Sequence, residues 1–162
     1  MNICGSCGLC CKFLDIPAID KPANRWCPSW TPGQGCKIYE SRPKTCETFH
    51  CMWLTTRVQS EAKPLPDDLR PDRCKALMMI KEGVDTPMAC HVDPANPNAW
   101  REGTLGKFLR FMAKKTRIVV KSGRRVITLD ADGAYEATII GDNKSERHAI
   151  GIEKTDQNRI EW

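Results

Sequence analysis

The sequence predicts an α+β protein, in which an irregular, cysteine-rich, metal-stabilised N-terminal module is followed by a helix packed on a small antiparallel β-sheet. Eight of the ten cysteines lie within the first 51 of the 162 residues. Prolines and glycines interrupt that segment too often for long helices. The second half combines one helical periodicity with several β-rich segments. We place a cysteine-cluster module at residues 1–75 and a small α+β module at residues 76–162, packed together as one compact unit.

The first 36 residues are predicted to form loops and short turns, because four prolines and four glycines interrupt them. Such a segment buries too little apolar surface to offset the entropy lost on ordering. Metal bonds would compensate, since structural zinc contributes on the order of 10 kcal/mol to the folding of small thiolate modules. We therefore expect this half of the chain to lose its fold when metal is removed.

A helix is predicted over residues 41–59, since the segment opens with a serine suited to the N-cap position and a proline two residues later. On one regular helix Cys46 and His50 share a face, whereas Cys51 is turned about 140° away from Cys46. Either the helix begins only near Cys51, or the two cysteines serve different metals, or His50 replaces one of them. Trp53 and Leu54 are expected to pack at the base of the cluster.

The second half is predicted to begin with a strand and a helix. Residues 74–80 form a short apolar run typical of a strand. Asn98 is a suitable N-cap for a helix that continues to about Lys115. The buried stripe of this helix follows the spacing i, i+3, i+4, i+7 and consists of Leu105, Phe108, Leu109 and Met112.

A β-hairpin is predicted after this helix. Residues 117–121 and 124–129 are rich in β-forming side chains, and a two-residue turn at Ser122 and Gly123 separates them. Two further strands are predicted at residues 135–140 and 148–153. Together these segments account for the small sheet.

The formal net charge of +5 is concentrated in residues 103–129, which hold eight basic side chains and no acidic one. These side chains could follow a phosphate backbone. The solvated face of an ordinary helix has the same composition, however, and only Phe111 is available there to stack on a base. We favour the ordinary surface, and keep a nucleic-acid-binding regulator with a structural metal as an alternative. The basic residues are Lys107, Arg110, Lys114, Lys115, Arg117, Lys121, Arg124 and Arg125.

The chain is expected to be cytoplasmic and to have no membrane partner. No apolar run approaches the roughly 18 residues of a membrane helix, and Cys4 comes before a secretory leader could be built. Cytosolic reductants keep thiols free, so dense cysteines there indicate metal rather than disulfides. The only histidines are His50, His91 and His148, so any metal site must consist mainly of thiolates.

The opening run, Cys4-Gly5-Ser6-Cys7-Gly8-Leu9-Cys10-Cys11, places four thiols within eight residues. A zinc site usually takes one CxxC pair from a loop and a second pair from a distant segment. The CxxCxxC spacing more closely matches a loop that covers one face of an iron–sulfur cubane, with the fourth thiolate supplied from elsewhere. The spacing slightly favours an iron–sulfur cluster. Two four-cysteine zinc sites, with Cys10 and Cys11 pointing apart to different metals, are the alternative.

A second cysteine motif reads Cys36-Lys37-Ile38-Tyr39-Glu40-Ser41-Arg42-Pro43-Lys44-Thr45-Cys46-Glu47-Thr48-Phe49-His50-Cys51. With the opening run it resembles the CxxCxxCC, or YkgJ-type, cysteine-cluster family, whose second hallmark is C-x-I-Y-x-x-R-P-x-x-C-x-x-F-x-C. The resemblance covers about the first third of the chain and implies a zinc- or iron-chelating function. Members often have proline where this sequence has histidine at position 50. The metal ligands that the resemblance implies are Cys4, Cys7, Cys10, Cys11, Cys27, Cys36, Cys46 and Cys51.

Several other residues are secondary candidates for the metal site. Arg42, which belongs to the hallmark with Tyr39, would either offset thiolate charge or stabilise the turn at the start of the helix. A cysteine outside the cluster is more often simply buried. Additional candidate ligands are His50, Cys74, Cys90 and His91.

The sequence contains no recognisable catalytic signature. The CxxxCxxC motif of radical enzymes, a phosphate-binding loop and G-x-S-x-G are all absent. We therefore assign no catalytic residue and no substrate. The first hypothesis is a metal-binding protein with a thiolate-rich zinc or iron–sulfur centre, and a redox enzyme or electron-transfer partner is a further alternative.

Overall fold

A computed structural model describes residues 4–59, 61, 63–80, 88–140 and 144–150. Within these residues the chain is α+β. The helices are α1 (Leu9–Phe13), α2 (Lys44–Thr48), α3 (Met52–Val58), α4 (Pro71–Cys74) and α5 (Gly103–Ala113). The strands are β1 (Trp30–Thr31), β2 (Gly35–Cys36), β3 (Ala76–Ile80), β4 (Met88–Val92), β5 (Ile118–Ser122), β6 (Arg125–Asp130), β7 (Gly133–Ile140) and β8 (Lys144–Ile150). None of the described helices is long and apolar enough to cross a membrane.

The start predicted for the helix over residues 41–59 is wrong. Ser41 ends a short 3-10 helix instead of capping an α-helix, and α2 begins at Lys44. The reason is Pro43, whose ring disfavours helical backbone in the residue before it. Arg42 accordingly has extended backbone, with φ −65° and ψ 151°.

The predicted helix is also interrupted in the middle. Phe49 and Cys51 have extended backbone, with ψ values of 120° and 159°. Cys51 is the N-cap residue of α3, so the alternative of a helix beginning near Cys51 is the correct one. Cys46 lies on α2, before the break. The two cysteines are therefore not constrained by the geometry of a single helix.

The large sheet has six strands in the order β3-β4-β5-β6-β7-β8. Every neighbouring pair is antiparallel except β4 and β5, which are parallel. The prediction of an antiparallel sheet is thus wrong at this pair. The reason is α5, which connects β4 to β5 and acts as the crossover that parallel neighbours require. The strands β1 and β2 form a separate antiparallel hairpin.

Two predicted boundaries of β3 and α5 are shifted in the structure. Cys74 is not in a strand but at the end of α4, and β3 begins only after Lys75, whose φ of 59° ends the helix. The helix expected after Asn98 begins at Gly103, because the intervening turns bury Trp100 to 2% exposure. The predicted stripe on α5 is confirmed: three of its residues are buried and Met112 is half-buried.

The predicted hairpin is present, with its turn one residue later than expected. Ser122 pairs with Arg125, so the two-residue turn is formed by Gly123 and Arg124. Ser122 stays in the strand because its buried hydroxyl donates a hydrogen bond to the Pro97 carbonyl at 3.1 Å. The last two predicted strands correspond to β7 and β8, and residues 151–153 lie outside the described part of the chain.

One hydrophobic core draws on both halves of the sequence. Leu9 and Phe13 of α1, the first turn of α3, the sheet and α5 all contribute to it. Residues 14–48, all of which are described, contribute nothing to this core. Their largest regular elements are α2 with five residues and two-residue strands. This segment therefore depends on interactions other than the main core.

Candidate metal centre

A cavity of about 90 Å³ lies between the opening loop, the β1–β2 hairpin and the segment around α2. Its apolar wall includes Ile16, Ile38 and Leu54, the last of which was expected at the base of the cluster. Trp53, expected there with it, does not line the cavity and is buried in the main core. Seven of the eight cysteines implied by the family resemblance line the cavity, namely Cys4, Cys7, Cys10, Cys11, Cys27, Cys36 and Cys46. The fold thus collects thiols that are spread over 43 positions of the sequence, from 4 to 46.

Short-range backbone features bring these segments together. The Cys27 amide donates to the Cys11 carbonyl at 3.0 Å, which joins the second cysteine segment to α1. The β1–β2 hairpin carries Cys36 to the cavity. Gly35 has φ +83°, and a Cβ there would lie 2.6 Å from the Gly5 carbonyl oxygen. Glycine at this position lets the hairpin approach the opening loop closely.

All ten cysteines lie in the described residues and all are free thiols. The disulfide alternative is therefore not the arrangement in this structure. Among the residues that the structure describes, however, no three or more Cys, His, Asp or Glu side chains are arranged as a group that could hold a metal ion. The thiols share a cavity without forming a ready-made coordination site.

Cys10 and Cys11 are joined by a hydrogen bond between their side chains. This bond, with burial and further negative charge, raises the pKa of Cys10 well above its ordinary value. The same bond lowers the pKa of Cys11, and the nearby Lys21 ammonium acts in the same direction against the effect of burial. Cys10 is therefore the donor and Cys11 the acceptor. The two thiols are turned toward each other rather than apart.

The charges of other thiols add to the effect of burial on two of the cysteines that line the cavity. Burial raises the pKa of Cys36, and the charges of Cys11 and Cys27 raise it further. Burial likewise raises the pKa of Cys46, and Cys11, Cys27 and Cys36 add to the effect. Burial and the neighbouring charges therefore favour the neutral thiol at both positions.

Three of the cysteines lie at the protein core. Cys51 is buried in the main core, and Cys4 and Cys10 pack against it. Burial raises the pKa of Cys4, and the charges of Cys51 and Cys11 add to this effect. Burial also raises the pKa of Cys7, to about 11.

Arg42 serves both of the roles that the sequence left open. Its guanidinium donates to the Tyr39 carbonyl and lies 3.8 Å from the centre of the Tyr39 ring, so it stabilises the 3-10 helix. It also lines the cavity, and its positive charge lowers the pKa of Cys4, Cys36 and Cys46 against the larger effect of burial. A fixed cation at this place favours the thiolate forms that metals require.

Lys21 is a second cation near the thiols, and sequence reasoning missed it. Only 3% of this residue is exposed, and its ammonium donates to the carbonyls of Lys12 and Leu14. Burial lowers the pKa of Lys21, whereas the charges of Cys27 and Cys11 raise it. A buried ammonium normally needs a compensating negative charge. Thiolates at Cys27 and Cys11 would provide that charge.

Asp72 contacts the cluster from the other side and was also missed by sequence reasoning. The Cys7 thiol hydrogen-bonds to its carboxylate, and the Asp72 backbone N–H is directed at the Cys7 sulfur. Arg70 holds the same carboxylate with two hydrogen bonds, of 2.6 and 2.5 Å. Together these interactions lower the pKa of Asp72, with the Arg70 bond the largest influence. Asp72, held in place by Arg70, therefore orients the Cys7 thiol.

The four additional candidate ligands are found in four different environments. His50 lines the cavity and is exposed. The charge of Cys74 adds to the rise in the pKa of Cys90, and the Cys74 thiol donates to the Ala76 carbonyl at 3.3 Å. Cys90 is fully buried in the sheet, and burial raises its pKa strongly. His91 follows it in β4 and points to the opposite face, where its ring lies 6.1 Å from that of Phe13.

The basic residues of the second half are partly engaged in internal contacts. Arg110 donates to the Arg101 carbonyl at 2.9 Å, and Arg125 makes two hydrogen bonds to Glu136, of 2.6 and 2.8 Å. The exposed basic side chains are Lys107, Lys114, Lys115, Arg117, Lys121 and Arg124. The contiguous patch predicted from the sequence is therefore smaller than expected.

No family model, curated protein or solved structure matches this chain. The fold and the site define it as an α+β protein with a cavity lined by free thiols. The chemistry of the donors fits a thiophilic metal, because soft thiolate ligands select zinc or iron–sulfur clusters. The cations of Arg42 and Lys21 would balance the charge of the thiolates. The resemblance to the CxxCxxCC family rests on the two cysteine motifs alone.

Proposed function

We propose that this protein binds metal through its eight N-terminal cysteines, as thiolate-ligated zinc or as an iron–sulfur centre. The observation that carries the proposal is the convergence of seven of these thiols on one cavity. They are separated in the sequence and are all free. The eighth, Cys51, is buried in the main core against which Cys4 and Cys10 pack.

The charges around the cavity support the same proposal. Thiolates are the metal-binding form of cysteine, and they need cations or N–H donors nearby when they are partly buried. Burial raises the pKa of Cys4, Cys36 and Cys46, and the charge of Arg42 opposes that rise at all three. The pKa of Cys11 is lowered to about 7, first by its hydrogen bond with Cys10 and then by the charge of Lys21.

We further propose that the metal holds residues 14–48 in their fold. This segment adds nothing to the main core, and burial of apolar surface therefore cannot offset its ordering entropy. Structural metal sites provide on the order of 10 kcal/mol in such cases. Bonds to the metal would supply the stabilisation that other segments obtain from the hydrophobic core.

The test is metal and sulfide analysis of protein purified anaerobically, together with its absorption spectrum. Zinc protein is colourless, whereas an iron–sulfur centre contributes iron, sulfide and visible absorption. A centre that is reversibly reduced would assign an electron-transfer role. Protein that is folded, free of metal and unaffected by added Zn²⁺ would refute the proposal. Amide hydrogen exchange before and after chelation should show lost protection in residues 14–48 while β4 and β5 stay protected.

A further inference from the structure

A second cavity, of about 390 Å³, lies between the N-terminal segment and the carboxyl ends of β4 and β5. Its volume is within the range of roughly 300–1,000 Å³ that small-molecule sites occupy. None of the seven residues that line it also lines the thiol cavity, so the two cavities are separate spaces. These residues are Phe13, Asn24, His91, Val92, Pro94, Lys121 and Gly123.

His91 and Lys121 are the polar side chains that the sheet contributes to this cavity. They are register partners in the parallel pair β4–β5, and each is the last residue but one of its strand. Register partners on neighbouring strands project from the same face of a sheet, and their backbones lie about 4.8 Å apart. Both side chains can therefore reach one ligand group at the carboxyl ends of the strands, where α/β sheets commonly bind ligands.

The charge of Lys121 favours an anionic ligand. This side chain is exposed and forms no ion pair with any residue in the described part of the chain. The carboxylate of Asp93, which lies between two of the lining residues in the sequence, is already paired with Lys12 at 2.7 Å. An imidazole always carries at least one N–H donor, and the Asn24 carboxamide has two. The polar lining therefore suits a carboxylate or phosphate group better than a cation.

The remaining walls of the cavity are largely apolar. Phe13 is 7% exposed and Val92 is 1% exposed, and Pro94 follows one residue after Asp93. The Phe13 ring lies 6.1 Å from the His91 ring, so the apolar wall adjoins the polar one. A small inorganic ion would leave the apolar surface in contact with water, whereas an organic anion would cover it.

We infer that this second cavity binds a small organic anion. Its carboxylate or phosphate group would lie at Lys121 and His91, and its apolar part would pack against Phe13 and Val92. This inference goes beyond metal binding and does not depend on it, because the thiol cavity contributes no residue to the site.

Amide NMR of the anaerobically purified protein tests this inference, with benzoate, phenyl phosphate, inorganic phosphate and benzyl alcohol as separate probes. We expect saturable shifts at the amides of His91, Lys121 and Gly123 with benzoate or phenyl phosphate. The better of these two anions should bind more tightly than inorganic phosphate, which lacks the apolar part, and than benzyl alcohol, which lacks the charge. Which of the two binds better tells whether the site takes a carboxylate or a phosphate.

Two variants test the residues that face the anion. Lys121→Gln should weaken binding of the better anion about 10-fold, and it should fold normally because this side chain is exposed. Asn24→Asp should weaken binding through charge repulsion, and aspartate tolerates the left-handed backbone found there, with φ 61°.

Lys107→Gln is the matched control, because it removes an exposed lysine of α5 that does not line the cavity. It should leave the affinity unchanged. The inference would be overturned by the absence of saturable binding with both organic anions, by equal binding of benzyl alcohol, or by an unchanged affinity in the Lys121→Gln protein.

Discussion

Gly8 lies between Cys7 and Leu9 of the opening run. We expect it to be important for the stability of the fold, because it leaves space for the Trp30 indole. A Cβ at this position would lie 1.8 Å from Trp30 Nε1 and 2.4 Å from two further indole atoms, whereas ordinary contacts begin at 3.4 Å. The indole cannot bend, so it would have to move by more than an ångström. It also stacks on Trp26, with the ring centres 3.9 Å apart.

The expected cost of Gly8→Ala can be worked out from these contacts. Overpacking costs about 1–3 kcal/mol, and loss of the aromatic stack about 0.5–1.5 kcal/mol. The backbone at Gly8 has φ −137°, which alanine tolerates. Alanine therefore gains about 0.4–1 kcal/mol through the unfolded state. We expect a net loss of about 2 kcal/mol in the free energy of unfolding.

A double-mutant cycle in urea, with metal-loaded protein throughout, tests this reasoning. Trp30→Leu removes the atoms that collide, so Gly8→Ala in that background should cost less than about 0.5 kcal/mol. Gly33→Ala is the matched control, since its φ of +74° strains the backbone but no atom lies within 4 Å of the new Cβ. Its cost should be the same with and without Trp30→Leu. Equal costs of Gly8→Ala in both backgrounds would refute the explanation.

Three further predictions concern charge and burial. Asp93 accepts a hydrogen bond from Lys12 at 2.7 Å, and although burial raises its pKa, this bond and the Ala95 amide outweigh burial and lower it. The Asp93 carboxylate should stabilise the fold fully above about pH 4, and this stabilisation should be lost as the pH falls through the lowered pKa. Asp93→Asn should therefore lower the free energy of unfolding by about 2 kcal/mol at pH 7 and by little at pH 2. Asp72→Asn should weaken metal binding about 10-fold in chelator competition, because Cys7 loses its orienting carboxylate. Cys90→Ser should lower the free energy of unfolding by about 1–3 kcal/mol, because it buries a hydroxyl in the sheet core.

Each of these has a control within the chain. Asp67→Asn removes an exposed carboxylate that pairs with Arg57 at 2.6 Å, and it should change neither metal affinity nor the acid dependence of stability appreciably. An Asp93→Asn protein whose stability deficit is the same at pH 2 and pH 7 would contradict the pairing argument. Cys90→Ala should be better tolerated than Cys90→Ser, and the opposite order would show that the site is not apolar.

Much of the second half follows from periodicity in the sequence. The stripe formed by Leu105, Phe108 and Leu109 is the buried face of α5. The hairpin is present with its turn one residue later than predicted, and β8 begins at Lys144, four residues before the last predicted strand. The parallel pair β4–β5 was missed because strand direction depends on where the crossover helix packs, which no local pattern records. The early end of the predicted helix at Thr48 was missed for a similar reason, since burial of Cys51 and Met52 in the core overrides helix propensity there.

The abundance of thiols in the N-terminal half can be read directly from the sequence, because cysteine spacing is a local property. The scarcity of long helices there follows in the same way from its prolines and glycines. The arrangement in space could not be read from the sequence: which thiols share one cavity, that Lys21 and Asp72 lie near thiols, and that Cys90 and His91 face opposite sides of the sheet. Those relations join residues far apart in the chain, and they depend on how the hairpin, the helices and the sheet pack in three dimensions.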